Sequence, residues 1–381
     1  MKRYRNYIDI ITFAATLFLL IAGMIAVESA SATISDLRYG STSWLFTRHA
    51  VKVIVGLIAL FVAVATDYHV YQRWTKSALL IAVFLLIVTL ISGGEIKGSS
   101  RWLRFGGFGF QPSEFAKTAL VFHIASLLAV KKEKVANFKR GFLPFLLWIG
   151  TVSLLVFLQP NFSTGAMILL ISFVILFVSR VRIIHLISLG IVTLPVLVLF
   201  LMSAEYRLQR LLAFIQGGHF TTRNYQVAQG IIGFGNGGIF GIGPGQSKQR
   251  LFFLPESYGD FIYAIVGEEY GFLGTMAVLG AFFIIFLRGF KIAHHAPDLF
   301  GRYLAIGITL TITLYALINA AVTLGLLPTT GLPMPFVSYG GSALLFASFE
   351  IGVLLNISRQ TDLHPRLIPL AEVNAPTRKS S

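Results

Sequence analysis

Four carboxylates fall within the fifteen residues PESYGDFIYAIVGEE, at positions 255–269. They stand out because the whole chain carries 31 Lys and Arg residues against 16 Asp and Glu residues. Asp260 stands where an apolar run begins, and Glu268 and Glu269 follow about two helical turns further along. Carboxylates are among the side chains that transfer protons in enzymes, so this cluster is a candidate site.

Each of these carboxylates also has a structural interpretation. Ser257 and Asp260 have the spacing of a capping box, and an acid in the first turn suits the dipole of a helix. Glu268 and Glu269 could instead be buried partners of Lys or Arg side chains. The residues alone leave both interpretations open.

A glycine-rich, basic segment, GFGNGGIFGIGPGQSKQRLFFLPE, occupies positions 233–256. Its glycine spacing resembles a dinucleotide fingerprint, but no preceding strand or βαβ unit accompanies it. We therefore interpret the glycines as allowing tight turns and the close approach of a ligand. The nearby cations either bind lipid headgroups or form a pyrophosphate site together with exposed N–H groups. These cations are Arg207, Arg210, Arg223, Lys248 and Arg250.

Two further stretches combine polar residues with helix breakers. In SSRWLRFGGFGFQPSEFAK, at 99–117, Ser113 is predicted to cap a helix, and Glu114 and Lys117 are spaced to form a pair on it. In LPTTGLPMPFVSYGGSALL, at 327–345, three prolines and three glycines predict a rigid re-entrant turn at membrane depth.

The composition indicates a membrane protein. The chain of 381 residues is 55% hydrophobic and 12% charged, about half the charge of a soluble domain. It has no Cys, which excludes disulfides and thiolate metal sites. The net charge of +15 is spread over short loops between apolar runs, so it indicates membrane topology rather than a nucleic-acid surface.

The apolar runs predict ten spanning helices. The first run, of about 20 residues, is too long for the hydrophobic region of a signal peptide and is expected to remain as a span. The predicted spans are 8–27, 49–66, 77–93, 113–130, 142–158, 164–180, 183–202, 261–287, 303–325 and 340–357. With a cytoplasmic N-terminus, the inside segments carry 19 Lys and Arg residues and the outside segments 10.

These patterns predict an all-α polytopic membrane protein with ten transmembrane helices and both termini cytoplasmic. One long outer loop, 203–260, separates spans 7 and 8, and a loop of this length is usually functional. Residues 1–357 form a single membrane domain, and residues 358–381 are a polar, flexible tail.

The motifs quoted above resemble those of the SEDS family (shape, elongation, division and sporulation), and its division branch more than its elongation branch. The resemblance extends from the first span to about Asn356. Further motifs that carry it are YRLQRLLAF at 206–214, FGIGPGQSKQRLFFLPES at 240–257 and DFIYAIVGEEYGFLG at 260–274.

The resemblance implies a glycosyltransferase that polymerises lipid II, the undecaprenyl-pyrophosphate-linked precursor of peptidoglycan, outside the cytoplasmic membrane. It implies that Asp260 is the catalytic aspartate and that the loop lysine of the family is Lys248. We expect the substrate-binding residues to be Arg101, Glu114, Lys117, Arg207, Arg210, Gln226, Lys248 and Ser338. The implied partners are a class B penicillin-binding protein, which crosslinks the strands, and other membrane proteins of the division machinery.

Two positions depart from the pattern of the family. Tyr258 and Gly259 replace a His-Thr pair before the aspartate, so no help from a histidine is expected. Gln159-Pro160-Asn161 replaces Gln-Pro-Asp, so a carboxylate role at that position is not expected.

A single catalytic carboxylate would suffice for this reaction. Asp260 would take the proton of the attacking sugar hydroxyl, and the pyrophosphate would leave without protonation. Lys248, Arg207, Arg210 and Lys117 would stabilise the developing charge, with help from Mg²⁺ or Mn²⁺. No organic cofactor and no protein-held metal centre are expected.

Three alternatives can be weighed against this function. A lipid II flippase would use the intramembrane charged residues as a polar pathway, but it would also need polar residues near the inner leaflet. The same polymerase could serve cell elongation or sporulation rather than division at the septum. A scaffold that only recruits partners would leave the charged and glycine-rich outer loop unexplained.

Overall fold

The computed structural model describes residues 7–92, 101–105, 108–179, 181–215, 225–255, 257–361 and 363. In this part of the chain nine helices are long and apolar enough to cross a membrane, and the apolar helix at Phe162–Val178 is slightly shorter. The helices are α1 (Ile10–Tyr39), α2 (Trp44–Ala65), α3 (Tyr68–Ser92), α4 (Pro112–Lys131), α5 (Leu143–Leu158), α6 (Phe162–Val178), α7 (Ile183–Met202), α8 (Glu205–Ile215), α9 (Tyr225–Gly237), α10 (Ile262–His294), α11 (Leu299–Thr323) and α12 (Ser342–Arg359). All except α8 and α9 match predicted spans, so the all-α fold with ten spans is confirmed.

The centre of the bundle consists of α4 and α11, which are the most buried of the long helices. They pack against each other, and α4 also packs against α3 and α12. Because α4 is enclosed by protein rather than lipid, it can carry Glu114 and Lys117 without exposing charge to the bilayer. Helix α7 is the least buried of the spans.

Helix α4 begins at Pro112, two residues earlier than a cap at Ser113 implies. Its N-cap is Gln111, Pro112 occupies the first turn, and Ser113 is already helical, so the prediction of a Ser113 cap is wrong. Proline is favoured at the first helical position because its missing N–H would have no partner there. Ser113 instead accepts a hydrogen bond from Gln111 Nε2 (3.0 Å).

Helix α1 is longer than the predicted first span. It continues through the ESASAT segment to Tyr39 and ends at Gly40, whose φ of 68° is left-handed. Ser31 and Ser35 are fully buried in this extension, which shows that the small polar residues face other helices rather than lipid. Small residues in spans allow such close helix packing.

Both chain ends of the bundle lie at the same end, which we call the inner end. The backbone N–H of Asp9 donates to Ser358 Oγ (3.0 Å), joining the start of α1 to the end of α12. Asp9 is fully buried and forms an ion pair with Arg288 of α10. This arrangement agrees with termini on one side of the membrane.

The opposite end, the outer end, carries the structures that connect spans 3 to 4 and 7 to 8. Strand β1 (Leu103–Phe105) pairs antiparallel with β2 (Phe108–Phe110). The predicted outer loop 203–260 contains α8 and α9, and α9 packs against α10 and α11. Arg223, Glu256 and residues 364–381 of the predicted tail lie outside the described residues.

Candidate active site

The turn at 257–260 leads into α10 and holds Asp260 half-buried at the outer end. Helix α10 has Phe261 as its N-cap, without a side-chain cap, so the predicted capping box is wrong. Ser257 Oγ is directed to the carbonyl oxygen of Ala30 on α1 (3.5 Å). Asp260 is therefore not committed to capping the helix, and its carboxylate remains a candidate for chemistry.

Two residues from other segments fix the position of Asp260. Asn319 on α11 donates through Nδ2 to the carbonyl oxygen of Asp260 (2.7 Å) and to that of Leu332 (2.8 Å). A Cβ on Gly331 would lie 3.3 Å from Asp260 Oδ2, and Gly331 has a left-handed φ of 71°. Asn319 thus ties the turn to the segment between α11 and α12, and Gly331 leaves room for the carboxylate. Sequence reasoning did not select either residue, although a lone Asn in an apolar span is a usable signal.

Arg101 lies within electrostatic range of Asp260, Arg207 and Arg210. Burial lowers the pKa of Arg101. Repulsion from Arg207 and Arg210 lowers this pKa further, whereas Tyr206 and Asp260 raise it. Arg101 also donates through Nη2 to the carbonyl oxygen of Pro160. The predicted residues Arg101, Arg207, Arg210 and Asp260 are therefore brought together, although more than 150 residues separate Arg101 from Asp260.

Helix α8 positions Arg207 and Arg210 one turn apart. Arg207 donates through Nη1 to the carbonyl oxygen of Phe200 (2.6 Å) and through Nε to the hydroxyl of Tyr206 (3.0 Å). The guanidinium of Arg210 lies 5.7 Å from the centre of the Tyr206 ring. Tyr206 thus holds both arginines at the outer end, where their charges add to that of Arg101.

Glu268 and Glu269 have a different environment from the one expected. Glu268 accepts hydrogen bonds from Asn236 Nδ2 (3.0 Å), the backbone N–H of Gln249 (3.1 Å) and Ser247 Oγ. Glu269 accepts one from Ser29 Oγ of α1. No Lys or Arg forms an ion pair with either carboxylate in the described chain, so the expected cationic partners are absent there. Neutral donors engage both oxygens of Glu268 and Oε1 of Glu269, whereas the buried Oε2 of Glu269 has no hydrogen-bond partner among the described residues. These hydrogen bonds join α1, α9 and α10.

The glycine-rich segment packs against backbone rather than leaving room for a ligand. Gly271 interrupts α10 with φ 65° and ψ −160°, and this break frees backbone groups on both sides of it. The amides of Ile242 and Gly243 donate to the carbonyl oxygens of Glu268 (3.0 Å) and Glu269 (3.1 Å). The expected close approach occurs, but its partner is α10.

The same glycine-rich segment also supplies hydrogen-bond acceptors for N–H groups that follow the break at Gly271. The carbonyl oxygens of Gly238 and Ile239 accept from the N–H groups of Phe272 (2.8 Å) and Leu273 (3.2 Å). A Cβ on Gly241 would lie 2.1 Å from the carbonyl oxygen of Glu269, so this contact requires glycine. Broken helices are tolerated inside membranes only where the freed groups find such partners.

Lys248 is not brought to the arginine cluster. Its side chain is exposed, while its neighbours Ser247 and Gln249 turn inward to Glu268. No contact within the described ranges joins Lys248 to Asp260. A role for Lys248 in substrate binding stays a prediction.

Glu114 and Lys117 form the predicted pair, with Lys117 Nζ 2.7 Å from Glu114 Oε2 and both side chains buried. Lys117 Nζ also lies 4.1 Å from the centre of the Tyr315 ring. Glu350 of α12 joins this cluster and accepts from Thr118 Oγ1 (2.7 Å). Sequence reasoning gave Glu350 no place in the transferase site, although a single carboxylate in an apolar span was a signal.

A small cavity of about 20 Å³, enough for one water molecule, lies within this cluster. Its lining includes Glu114, Lys117, Glu350, Pro333 and Pro335. The paired charges therefore lie directly against the segment between α11 and α12.

That segment is the one predicted to be a re-entrant turn, and it is non-helical and packed against the spans, while its depth in the membrane stays a prediction. Residues 328–335 are non-helical, yet Leu332 and Met334 are buried among the spans. Phe336 has a left-handed φ of 64°, and a Cβ on Gly23 of α1 would lie 2.3 Å from its carbonyl oxygen. A bulky residue with this backbone conformation is held there only by its surroundings, and such strain is common at functional sites.

The remaining predicted residues have varied surroundings. Ser338 is buried and its Oγ accepts from the backbone N–H of Met334 (2.8 Å), so it braces the re-entrant turn. Gln226 is half-buried in the first turn of α9. Asn161 donates to Ser113 Oγ (3.4 Å), in agreement with a neutral role at that position. Substrate contacts by Ser338 and Gln226 stay predictions.

The bundle of nine long apolar helices and one shorter apolar helix in the described part of the chain defines a multi-pass membrane protein. The model of the FtsW/RodA/SpoVE family, described as "Cell cycle protein", matches residues 10–363. The chain belongs to this family, as the resemblance of its motifs implied.

Two relatives illustrate the similarity. The "Probable peptidoglycan glycosyltransferase FtsW" of Trichlorobacter lovleyi is 37% identical over 360 residues, which cover 94% of each chain. The "Stage V sporulation protein E" of Bacillus subtilis is 38% identical over 354 residues, which cover 92% of this chain and 97% of that one.

Two solved structures share the fold. One, described as "Structural coordination of polymerization and crosslinking by a peptidoglycan synthase complex", aligns with a TM-score of 0.76 at 24% identity and covers 93% of this chain and 99% of that one. The rod shape determining protein RodA of Thermus thermophilus aligns with a TM-score of 0.70 at 24% identity and covers 93% of this chain and 98% of that one.

Proposed function

We propose that this protein is a peptidoglycan glycosyltransferase that polymerises lipid II at the outer face of the cytoplasmic membrane. The names of its relatives support this activity. The observation that carries it is the position of Asp260, which Asn319 and Gly331 hold within electrostatic range of Arg101, the arginine that also interacts with Arg207 and Arg210. A carboxylate next to a surplus of positive charge suits a reaction that takes a proton and releases a diphosphate.

Asp260 acts as the general base in this proposal. The 4-hydroxyl of the acceptor sugar attacks the anomeric carbon of the donor, its proton passes to Asp260, and the bond from that carbon to the diphosphate breaks. Attack from the face opposite the leaving group inverts the anomeric centre and forms a β-1,4 bond. The diphosphate leaves as an anion, so no second acid is required.

Arg101, Arg207 and Arg210 bind the leaving diphosphate. Three like charges in one place repel each other, and the repulsion is largest when no anion is bound. As the bond to the diphosphate breaks, negative charge grows on its oxygens and the attraction to the arginines increases. This is stabilisation of the transition state in preference to the ground state.

A divalent cation fits this site only together with the substrate. No cluster of three or more carboxylate or histidine side chains suited to a metal occurs in the described ranges. Mg²⁺ is commonly held by one or two carboxylates plus phosphate oxygens, and Asp260 is the carboxylate that interacts with Arg101 of the arginine cluster. Bound there, Mg²⁺ or Mn²⁺ would neutralise charge on the diphosphate.

In this proposal Glu114, Lys117 and Glu350 support the site indirectly, through the segment between α11 and α12. They line the cavity against Pro333 and Pro335, two and four residues after Gly331. We propose that this buried cluster sets the height of the re-entrant turn and, through Gly331, the position of Asp260. Direct contact of Glu114 and Lys117 with the substrate is the alternative.

The inner end supports a polymerase over a flippase. Its polar residues are engaged with one another, because Arg288 pairs with Asp9 and Tyr68 donates to Asp298 (2.7 Å). A flippase pathway would need such groups to face a cavity open to the inside. The solved relative described as a peptidoglycan synthase complex supports a crosslinking partner, here proposed to be a class B penicillin-binding protein.

The family relatives include both division and sporulation proteins at similar identity. We propose the division role, with other septal membrane proteins as partners, because most of the relatives compared carry the division name. Septal localisation of a fluorescent fusion would test this assignment.

The activity is tested with the full-length protein, its cognate transpeptidase, purified lipid II and Mg²⁺ or Mn²⁺. Wild type is compared with Asp260→Asn and with Asp36→Asn, which alters an exposed aspartate near the outer end of α1. Glycan strands from wild type and Asp36→Asn, but not from Asp260→Asn, are expected. Strands from all three would exclude Asp260 as the base. Strands from none, with lipid II flipping in liposomes, would establish the transporter instead.

A further inference from the structure

A second group of cations lies at the outer end of α2, apart from the arginines beside Asp260. Trp44, Arg48 and Lys52 are spaced four residues apart, which places them on one face of the helix. The guanidinium of Arg48 lies 4.0 Å from the centre of the Trp44 ring, and that ring stacks on Tyr39 at 3.6 Å. This face of α2 is therefore an aromatic and basic stripe that runs from the outer end into the bundle.

Lys52 is directed into the protein. A lysine two turns inside a span usually extends its side chain back towards water. Here Nζ lies 3.6 Å from the centre of the Tyr339 ring, and the side chain passes beside Gly341. The ammonium is thus held over an aromatic ring of the segment between α11 and α12.

Among the described residues, neither Arg48 nor Lys52 forms an ion pair with a carboxylate. No carboxylate lies within ion-pair distance of Lys52 among the described residues, and Arg48 repels it from one turn away. Like charges four residues apart on a helix repel each other, so the pair is unfavourable unless an anion binds. His49, between them, is fully buried, and neither of its ring nitrogens has a hydrogen-bond partner.

The turn that holds Asp260 contacts this second group as well. The backbone N–H of Tyr339 donates to the carbonyl oxygen of Tyr258 (2.9 Å), and the two rings meet edge to face at 5.5 Å. Tyr258 precedes Asp260 by two residues. The turn therefore connects to Lys52 through Tyr258 and Tyr339, and to the three arginines through Asp260 itself.

The chemistry of the proposed reaction requires two anion sites, and this inference rests on that proposal. Each polymerisation step joins two lipid-linked sugars, and each substrate carries its own diphosphate. The donor loses its diphosphate, whereas the acceptor retains its diphosphate throughout. One cluster of cations cannot serve both without placing two diphosphates together, where their charges would repel.

We propose that Lys52 and Arg48 bind the diphosphate of the acceptor lipid, while the arginines beside Asp260 bind that of the donor. Trp44 and Tyr39 would cover the lipid side of this site with aromatic surface, as such residues do at membrane interfaces. The phosphate of a bilayer phospholipid has related chemistry, and the test separates the two sources.

The test counts the lipid diphosphates that bind to the full-length protein, by native mass spectrometry with farnesyl diphosphate as the probe and phosphatidylglycerol in parallel. Wild type is compared with Lys52→Gln, with the charge-preserving Lys52→Arg, and with Lys134→Gln, which removes an exposed lysine at the inner end. Arg48→Gln removes the other cation of the proposed site, whose side chain is exposed. A thermal melt of each variant accompanies the binding.

We expect wild type, Lys52→Arg and Lys134→Gln each to bind two molecules of farnesyl diphosphate. Lys52→Gln should bind one molecule, with at least about tenfold loss of affinity for the second, because hydrogen bonds between charged groups are the strong ones. Arg48→Gln should weaken the same binding event. Equal stoichiometry in Lys52→Gln and wild type, or a single molecule in wild type, would overturn the proposal. Loss of phosphatidylglycerol alone would reassign the site to the bilayer and overturn it too. If no lipid II is polymerised, the proposed function fails, and the stoichiometry still shows whether the second anion site exists.

Discussion

Asp260 and the Glu268–Glu269 pair lie within ten residues of one another, yet their surroundings differ in every respect that matters for chemistry. Asp260 is half-buried in a turn and interacts electrostatically with Arg101. Glu268 and Glu269 are buried inside α10, where hydroxyl, amide and backbone N–H groups, none of them charged, donate hydrogen bonds to them. Carboxylates close in sequence can therefore serve opposite purposes, and the partner decides which.

The neutral donors around Glu268 and Glu269 explain why α10 can be broken inside the membrane. The break at Gly271 frees carbonyl and N–H groups, and the glycine-rich segment supplies partners for them. The two glutamates hold that segment in place through Ser247, Asn236 and the backbone of Gln249. They organise the end of the helix that begins with the proposed base.

The largest difference between Asp260 and the Glu268–Glu269 pair should be in the rate at which lipid II is polymerised. Asp260→Asn removes the proton acceptor and is expected to lower polymerisation by about 10²–10⁴-fold, with little change in melting temperature. Rates of strand formation from lipid II measure the first effect, and a thermal melt measures the second. A variant that melts far below wild type would show that Asp260 is structural like the glutamates, and the contrast would fail.

The break in α10 should be the most sensitive point for stability. Gly271 has a backbone conformation that is essentially restricted to glycine, and a Cβ there would lie 2.4 Å from the backbone nitrogen of Gly241. Gly271→Ala is expected to destabilise the protein by about 3 kcal/mol or more. Chemical or thermal unfolding in detergent checks this.

Gly280 supplies the matched control on the same helix. A Cβ at Gly280 meets nothing within 4 Å, and the backbone there is helical. Gly280→Ala should therefore leave stability unchanged or raise it by up to about 1 kcal/mol. Similar losses in both variants would mean that the contact between Gly241 and Gly271 is not what matters.

Glu268→Gln should affect stability and not turnover. The amide of Gln can accept from only one side, so Asn236 on one side or Ser247 and Gln249 on the other would lose an acceptor. A buried donor left unpaired costs about 1–3 kcal/mol. Melting curves should show this loss, while polymerisation by the folded fraction remains near wild type.

The control for this change is Glu205→Gln, on the exposed surface of α8. It should change stability by no more than about 0.5 kcal/mol. If Glu268→Gln reduced the turnover of folded protein as strongly as Asp260→Asn, the assignment of chemistry to one region and organisation to the other would be wrong.

The smallest of these effects tests how Asp260 is positioned. Gly331→Ala and Gly40→Ala both place alanine in a left-handed conformation, at φ 71° and 68°, and each should cost about 1 kcal/mol of stability. Only the Cβ at position 331 approaches Asp260 Oδ2 (3.3 Å), whereas that at position 40 meets nothing. We expect Gly331→Ala alone to lower polymerisation by about tenfold, because displacement of a catalytic group is costly. Equal activity of the two variants would show that Gly331 does not position the carboxylate.

Patterns along the chain predict the ten apolar helices, the non-helical segment before α12 and the Glu114–Lys117 pair. Each of these depends on neighbours in the chain: hydropathy over about 20 residues, the clustering of Pro and Gly, and a spacing of three on one helix. Local caps were less predictable, because Gln111 and Phe261 begin helices where Ser113 and Ser257 were expected to do so.

The tertiary structure alone decided which charges meet. Arg101 and Asp260 interact across more than 150 positions, Glu350 joins Glu114 and Lys117 from another helix, and Lys52 faces Tyr339. Which helix faces another depends on the packing of whole helix surfaces, and no local pattern of residues records it. For the same reason, the glycines that were expected to admit a ligand were found against the broken backbone of α10.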